Sequence, residues 1–169
     1  MPGKLGMTTA HRMSVIKNQA SSLLQLGRIE TTKAKAKELK SYVEKIITTA
    51  IRTYEDVIEV EKVVKDAKGK DMTVKVTKDG PKKLAARRKI MSKLFDLQEI
   101  KGANETKAQY KERTGNVNHP IIEKLFNYYA PKYAQRAQDK GQGGGYTRIY
   151  LLGARKGDAA EKAIIELVD

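Results

Sequence analysis

Two histidines and the absence of cysteine leave this sequence with few side chains of the kind that catalyse reactions. The 169 residues contain His11 and His119 but no cysteine. Thiolate nucleophiles, cysteine-ligated zinc and disulfides are therefore excluded. His119 precedes Pro120 at a predicted helix start, where a structural role is favoured. His11 lies beside Arg12, which suits a phosphate contact better than general-base catalysis.

The glycines and acids do not form a catalytic pattern either. A P-loop needs Lys-Ser/Thr and a helix after its glycines, but Tyr146, Thr147 and a predicted strand follow the glycine-rich run 141–145. We interpret that run as a turn into the strand, although Gly144 and Gly145 would also let the backbone approach RNA closely. The acids of residues 55–79 alternate with lysines, as on a solvated charged surface. We expect no enzyme activity, no metal site, no cofactor and no small-molecule substrate.

The cations are the informative residues. Lys and Arg number 34 and Asp and Glu number 20, which gives a net charge of +14. Such a charge repels itself in a compact chain, and its commonest use is to bind nucleic acid phosphates. An anionic membrane surface and solubility alone are the weaker alternatives. The charge is concentrated in residues 1–54, at +7, and in residues 81–120, at +6, whereas residues 55–80 carry −1.

Two amphipathic helices are predicted to position the first basic block. The first follows Thr8 and Thr9 and stops at Gly27, and the second is capped by Thr31 or Thr32. Apolar residues at helical spacing form their inner faces: Met13, Ile16, Ala20, Leu23 and Leu24 in the first, and Leu39, Val43, Ile46, Ile47 and Ala50 in the second. His11, Arg12 and Lys17 then lie at the start of the first helix.

Two further helices are predicted in the second half. One begins at Pro81 and turns Leu84, Met91 and Leu94 inward. The rest of its surface carries cations, which favour contact with a polyanion. These cations are Lys82, Lys83, Arg87, Arg88, Lys89 and Lys93. The other is capped by Asn118 and is bent or ended by Pro131. Its predicted inner face consists of Ile122, Leu125, Phe126 and Tyr129.

The C-terminal part changes to strand periodicity. Residues 146–152 and 163–168 predict an antiparallel hairpin around a turn at 153–157, and residues 28–31 are a candidate third strand. The predicted fold is α+β, with about four helices packed on a small three-stranded sheet in two layers. Residues 55–79 predict an inserted hairpin or a helix–strand excursion, and residues 98–117 predict a loop with one exposed helical turn.

Several segments, taken together and in order, resemble the bacterial large-subunit ribosomal protein seventeen family. The similar segments near the N-terminus are Lys4-Leu5-Gly6, His11-Arg12, Lys17-Asn18, Ser21-Ser22-Leu23-Leu24, Gly27-Arg28-Ile29-Glu30-Thr31-Thr32 and Ala36-Lys37-Glu38-Leu39. Those further along are Ala86-Arg87-Arg88, Lys124-Leu125-Phe126, Ala130-Pro131-Lys132-Tyr133-Ala134-Gln135-Arg136, Gly144-Gly145-Tyr146-Thr147-Arg148-Ile149, Lys156-Gly157-Asp158 and Ile165-Glu166-Leu167-Val168. Met7 departs from the pattern, because a basic residue is common there.

The resemblance implies a protein that binds large-subunit ribosomal RNA near the outer end of the nascent-chain tunnel, among neighbouring ribosomal proteins and without enzymatic activity or cofactor. It implies RNA contacts at the N-terminal stretch, at 28–32 and at 146–148. With the basic clusters, the predicted RNA-binding set is Lys4, His11, Arg12, Lys17, Asn18, Arg28, Thr31, Thr32, Lys33, Lys35, Arg87, Arg88, Tyr146, Thr147 and Arg148.

The predicted organisation is therefore one RNA-binding domain over residues 1–169, with insertions at 55–79, 98–117 and 138–143. We expect a cytoplasmic protein of the ribosome that is not a homo-oligomer and does not contact a membrane, because no apolar stretch approaches the length of a membrane helix. Two other classes stay open. A helix-turn-helix DNA-binding module would need a shorter connector than residues 27–31, and an RNA-modifying enzyme would need the reactive groups that are missing here.

Overall fold

Helices cover one face of a three-stranded antiparallel sheet, and a separate two-stranded sheet is inserted between two of the helices. A computed structural model describes residues 3–65, 71–99, 101–115, 117–141 and 143–168. The helices are α1 Thr9–Leu26, α2 Lys33–Ile51, α3 Pro81–Met91, α4 Lys107–Thr114, α5 Pro120–Lys124 and α6 Ala130–Lys140. The strands are β1 Arg28–Thr32, β2 Val57–Lys65, β3 Asp71–Asp79, β4 Thr147–Ala154 and β5 Glu161–Leu167. The predicted α+β fold is confirmed.

The three-stranded sheet has the order β1-β5-β4, so the candidate third strand is confirmed. Ile165 of β5 lies opposite Ile29 on one side and Ile149 on the other. Alternate residues of β5, Ala163 and Ile165, are fully buried under the helices. This alternation gives the sheet one apolar face and one polar face, as expected for an antiparallel sheet covered on one side.

Helices α1 and α2 form as the sequence predicts. The Thr8 side chain accepts a hydrogen bond from the His11 amide at 3.4 Å and caps α1. Gly27 ends the helix with φ +81°, and its N–H donates to the Leu23 carbonyl at 2.8 Å. In α2, which follows Thr32, all five predicted inner residues are buried. The predicted Thr32 cap position is confirmed, although its side chain makes no capping hydrogen bond.

The predicted inner face of α3 is wrong at Leu84 and Met91 and confirmed at Leu94. Leu84 and Met91 are 40% and 39% exposed, whereas Ala86, Ile90 and Leu94 are buried. Lys83 is also buried, because its ammonium group pairs with the Asp79 carboxylate at 3.0 Å. That ion pair orients α3 so that the side of the helix with Lys83 faces inward and Leu84 faces outward. The helix also ends at Met91, so Leu94 of the predicted inner face lies after the helix.

The predicted fourth helix does not end at Pro131. A π-helical turn, Leu125–Tyr129, joins α5 to α6, and its wide spacing lets the Ala130 N–H donate to the Leu125 carbonyl. Proline has no N–H and its ring crowds the carbonyl four residues earlier, here that of Asn127. The wide turn before Pro131 accommodates both effects. The residue that precedes α5 is His119 and not the predicted Asn118, and its side chain makes no capping hydrogen bond.

The inserted segment is a hairpin, which confirms one of the two predicted alternatives and makes the helix–strand excursion wrong. Strands β2 and β3 pair from Val57 opposite Asp79 to Lys65 opposite Asp71. No described side chain of this hairpin joins the hydrophobic core. The Asp56 carboxylate fixes its base by accepting the Lys82 and Lys83 amides at 2.7 and 3.1 Å. Residues 66–70 of the predicted insertion lie outside the described residues.

The other two predicted insertions contain more helix than expected. In 98–117, α4 has eight residues and starts with a capping box between Thr106 and Gln109, so the prediction of one helical turn is wrong. Ion pairs from Arg113 to Glu99 and Glu105 hold this segment together. In 138–143, α6 continues to Lys140 before Gly141, at φ +63°. Ile100, Asn116 and Gln142 lie outside the described residues.

The left-handed conformation of Gly27 gives a test of the α1–β1 junction. We expect Gly27→Ala to lower the free energy of unfolding by about 1 kcal/mol, because a Cβ is strained at positive φ. Gly143→Ala is the control, since Gly143 has equally open surroundings but no positive φ. Urea unfolding followed by circular dichroism measures both changes. Equal effects of the two substitutions would contradict the assignment of Gly27 as the helix-ending residue.

Candidate nucleic-acid interface

The predicted N-terminal contacts lie on the segment before α1 and on its first turns. Lys4, His11 and Asn18 are exposed, and Arg12 and Lys17 are half-buried. One Arg12 nitrogen donates to the Gly3 carbonyl at 3.0 Å, which holds the N-terminal segment against the helix. The Lys17 ammonium group donates to the Ser92 carbonyl at 2.9 Å. These cations are therefore fixed in place while keeping exposed surface for an anion.

Two predicted arginines meet on the polar face of the three-stranded sheet. Arg28 on β1 and Arg148 on β4 both lie opposite Glu166 on the central strand. The pKa of Arg148 is raised, mainly by a hydrogen bond with the Tyr150 side chain and also by the negative charge of Glu166. The three side chains form one row across the sheet, with the cations at its edges. The structure thus brings residues 120 positions apart in sequence onto one surface.

The β1–α2 junction holds four predicted residues in differing surroundings. Thr31 accepts a hydrogen bond from the Gln19 side chain at 2.9 Å, and Thr32 is half-buried. Lys33 forms an ion pair with Glu161 at 2.7 Å. Lys35 is half-buried and forms no ion pair with another described residue. Lys35 is thus the cation of this junction that has no acidic partner in the described part of the chain.

The side chains of Tyr146 and Thr147 are buried, unlike their neighbour Arg148. The Thr147 hydroxyl donates to the Glu44 carboxylate at 2.9 Å and links β4 to α2. The Tyr146 ring lies 4.8 Å from that of Tyr133, between centroids, and the Arg136 guanidinium lies 5.7 Å from its centre. Their side chains therefore anchor the strand, and any anion contact at these two positions would use the backbone.

Arg87 and Arg88 are adjacent in sequence but differ in environment. The Arg87 guanidinium pairs with the carboxylates of Asp79 and Glu123, each at 2.5 Å, and lies 5.0 Å from the centre of the Phe126 ring. The hydrogen bond from Arg87 lowers the pKa of Glu123 and raises that of Arg87 itself. Arg88 is exposed. Arg87 joins the hairpin base to α5, and Arg88 faces solvent.

Sequence analysis did not single out Arg136 and Lys140 on α6 as interface candidates. They share a surface cleft with Arg148 and with the glycines 143–145. Arg136 donates to the Gly144 carbonyl at 2.7 Å and so fixes the glycine-rich turn beside β4. The family-like segment ending at Arg136 was the available signal, but helical spacing alone could not place this residue beside the turn.

The described residues hold no group of three or more metal-ligating side chains. His119 pairs with Asp96 at 3.1 Å on the exposed surface, and His11 lies on a different helix. Within the same described ranges, no helix is long and apolar enough to cross a membrane. The clearest chemical feature of the described surface is therefore its positive charge.

The fold and these residues define a small basic α+β protein whose cations are positioned by helix starts, strand edges and ion pairs. The chain belongs to the ribosomal protein L17 family, whose model matches residues 15–168. This confirms the resemblance drawn from the sequence segments.

Curated relatives match over nearly their whole length. The large ribosomal subunit protein bL17 of Lachnospira eligens is 38% identical, over 98% of this chain and 97% of its own. Its counterpart in Ruminiclostridium cellulolyticum is 40% identical, over 99% and 100%. That of Halothermothrix orenii is 36% identical, over 98% and 96%. Each of these relatives thus matches this chain over nearly the whole length of both proteins.

The Arg87–Glu123 pair predicts a pH-dependent stability. The folded-state pKa of Glu123 is lowered. The ion pair therefore adds to the free energy of unfolding above the ordinary glutamate pKa, and this contribution is lost as the pH falls through the lowered folded-state pKa. Glu123→Gln should lower the free energy of unfolding at pH 7 by at most about 1 kcal/mol, because the Glu123 side chain is 37% exposed. Below the folded-state pKa, wild type and variant should be equally stable.

Urea unfolding at several pH values between 2.5 and about 7 measures this difference. Glu112→Gln on α4 is the control, because Glu112 is exposed and forms no ion pair with a described residue. A stability difference for Glu123→Gln that does not change with pH would contradict the role given to the ion pair.

Proposed function

We propose that this chain is a structural constituent of the large ribosomal subunit and binds large-subunit ribosomal RNA near the outer end of the nascent-chain tunnel. The observation that carries the proposal is the match, over nearly full length, to proteins named for that subunit. The net charge of +14 supports it, since a chain with this charge is stabilised against phosphate groups. The tunnel location rests on the family resemblance.

The proposed RNA-binding residues divide by their environment. Cations with exposed charge contact phosphates directly: Lys4, Arg12, Lys17, Lys35, Arg28, Arg88 and Arg148. Lys33 and Arg87 are held in ion pairs, and Tyr146 and Thr147 are buried, so their side chains position the contacting groups. His11, Asn18, Thr31 and Thr32 supply polar contacts around them. Phosphate contacts of this kind fix position and orientation on folded RNA without reading its sequence.

The protein performs no reaction in this proposal and acts in the cytoplasm as part of the ribosome, as one copy without a small-molecule substrate. A helix-turn-helix DNA module fits the structure poorly. Strand β1 lies between α1 and α2 and pairs along its length with β5. The two helices are therefore not joined by the short turn that this motif requires.

The β2–β3 hairpin supports contact with a neighbouring ribosomal protein. The register places Ile58, Val60, Val74 and Val76 on one face of the ribbon, and Ile58 and Val74 are 50% and 41% exposed. Residues 55–80 carry a net charge of −1 in a chain of +14. An arm with four aliphatic side chains on one face, beside Lys62 and Lys78, and with almost no net charge suits a protein surface better than an RNA backbone. The single domain proposed for residues 1–169 thus carries this arm as an insertion.

Neutralising the exposed cations tests the RNA contacts. The triple variant Arg12→Gln, Arg28→Gln, Arg148→Gln should bind large-subunit RNA more weakly. Its slope of log affinity against log salt should fall by about 2–3, since each phosphate contact contributes about 0.7–0.9. The matched control is Lys101→Gln, Lys107→Gln, Lys111→Gln, which removes equal charge around α4. Filter binding across a salt series, with duplex DNA as competitor, measures both.

Two outcomes would contradict the proposed contacts. Equal slopes for the variant and wild type would remove the three arginines from the phosphate-contacting set. Preference for duplex DNA over structured RNA at equal salt would favour a DNA-binding protein instead. Retention on the large subunit after a high-salt wash is the complementary measurement in cells, and absence of the protein from purified large subunits would refute the proposed function.

Shortening the hairpin tests the arm separately. Replacing residues 61–75 by Asn-Gly joins Val60 to Val76, which already face each other, through a turn suited to hairpins. Because no described hairpin side chain lies in the core, stability should change by less than about 0.5 kcal/mol. RNA affinity should be unchanged, whereas crosslinks from this arm to a neighbouring ribosomal protein should be lost. Unchanged incorporation of the shortened variant into large subunits, together with no crosslink from the wild-type arm to a neighbouring ribosomal protein, would count against the arm as a protein contact.

A further inference from the structure

A groove of about 640 Å³ runs between α2 and α3, and of the residues that the sequence predicts as polyanion contacts it includes only Lys89 and Lys93. One stripe of α2 forms its first wall, and α3 and the residues after it form the second. The lining residues are Lys37, Lys40, Ser41, Glu44, Lys45, Thr48, Thr49, Arg52, Lys89 and Lys93. Six of these ten are cations and one is an acid, so the groove is strongly positive.

The groove cations lack acidic partners. None of the six forms an ion pair with another described residue, unlike Lys33, Lys83 and Arg87, which do. The one acid, Glu44, accepts the hydroxyl hydrogen of Thr147 at 2.9 Å and is thus already engaged by β4. Like charges along a helix repel one another. The arrangement therefore costs stability in the free protein, and that cost is relieved by an external anion.

The shape of the groove suits an extended polyanion. Its α2 wall runs from Lys37 to Arg52, and 15 steps of about 1.5 Å make a positive stripe about 22 Å long. Lys89 and Lys93, four residues apart on the second wall, face the same space. A single phosphate ion would engage only part of this length. A nucleic acid backbone, which carries one charge per nucleotide, can engage all of it.

The lining also indicates backbone contact and not base recognition. It contains no aromatic side chain on which a base could stack. The Thr48 and Thr49 hydroxyls donate back to α2 carbonyls at 2.8 Å each. Lysine ammonium groups remain as the main donors, and these bind phosphates as point charges.

The groove continues the N-terminal cationic surface. Ser41 and Lys45 also line a second cleft on the other side of α2, together with Arg12. Lys17 on α1 reaches the Ser92 carbonyl, next to Lys93. One RNA can therefore pass from the start of α1 across α2 into the groove.

We propose that the α2–α3 groove binds the sugar–phosphate backbone of an RNA segment adjoining the one held by the N-terminal surface. This inference rests on the proposed function and extends it to Lys37, Lys40, Lys45, Arg52, Lys89 and Lys93. The groove fixes the position of the helices on folded RNA through charge and contributes no sequence specificity.

The test is a groove variant, Lys40→Gln, Lys45→Gln, Lys89→Gln. It is measured beside wild type, the arginine variant (Arg12→Gln, Arg28→Gln, Arg148→Gln) and the α4 control variant. Against large-subunit RNA we expect the slope of log affinity against log salt to fall by about 2–3 for the groove variant, while the α4 control keeps the wild-type slope. Hydroxyl-radical footprinting should show the groove variant losing protection of backbone next to the segment that the arginine variant loses. Urea unfolding should show that the groove variant is folded and at least as stable as wild type, because the substitutions relieve like-charge repulsion.

The outcomes separate the two proposals. A wild-type slope and footprint for the groove variant, with a reduced slope for the arginine variant, overturns the groove and leaves the proposed function intact. Wild-type behaviour of both variants overturns both. If the groove variant keeps RNA binding but loses a crosslink to an acidic protein in assembled subunits, the occupant is a protein and the inference is wrong.

Discussion

Burial of one face of α2 is the constraint on which the rest of the structure depends. Ala36, Leu39, Val43, Ile47 and Ala50 are fully excluded from solvent, where α1, α3, the three-stranded sheet and the π-helical turn pack around this helix. Each fully buried large aliphatic side chain contributes about 1.5–3 kcal/mol. That contribution opposes the self-repulsion of a chain at +14. The same helix carries on its outer face the lysines that create the repulsion, so core and charged surface are two sides of one element.

The ion pairs of the described residues sort the cations into two groups. Lys83 and Arg87 are paired where α3 meets the hairpin and α5, and Lys33 is paired where α2 meets β5. Each pairing lies at a junction between elements and fixes one against another. The α2 cations that line the groove, together with Lys89 and Lys93, lie between junctions and have no acidic partner among the described residues. Pairing thus joins elements of the fold, and the cations without acidic partners are the ones that we propose for contact with an outside anion.

Local signals were sufficient to predict most of the elements. Thr8, Gly27 and the alternation in β4 and β5 act within a few residues, and the structure follows them. The orientation of α3 could not be predicted this way, because it depends on Asp79 pairing with Lys83 and Arg87. Hydrophobic spacing assigns a lysine to the surface, whereas the ion pair buries it. The π-helical turn before Pro131 likewise depends on packing of Tyr129 and Tyr133 into the core.

Prediction from sequence is even more limited for the candidate site, because the role of a residue there depends on its burial and its neighbours in space. Sequence similarity identifies Tyr146, Thr147 and Arg148 as one unit, but burial makes two of them anchors and leaves only the third exposed at the strand edge. Conversely, Lys45 carries no signal of its own in the sequence, and Lys89 belongs to a run of cations 44 residues away. They become neighbours in one groove only because α2 and α3 pack together. The nearly neutral hairpin is absent from this arrangement. Charge is therefore distributed by element: among the described residues, the helical body carries a cluster of cations without acidic partners, whereas the arm has a net charge of −1 and exposes apolar side chains such as Ile58 and Val74.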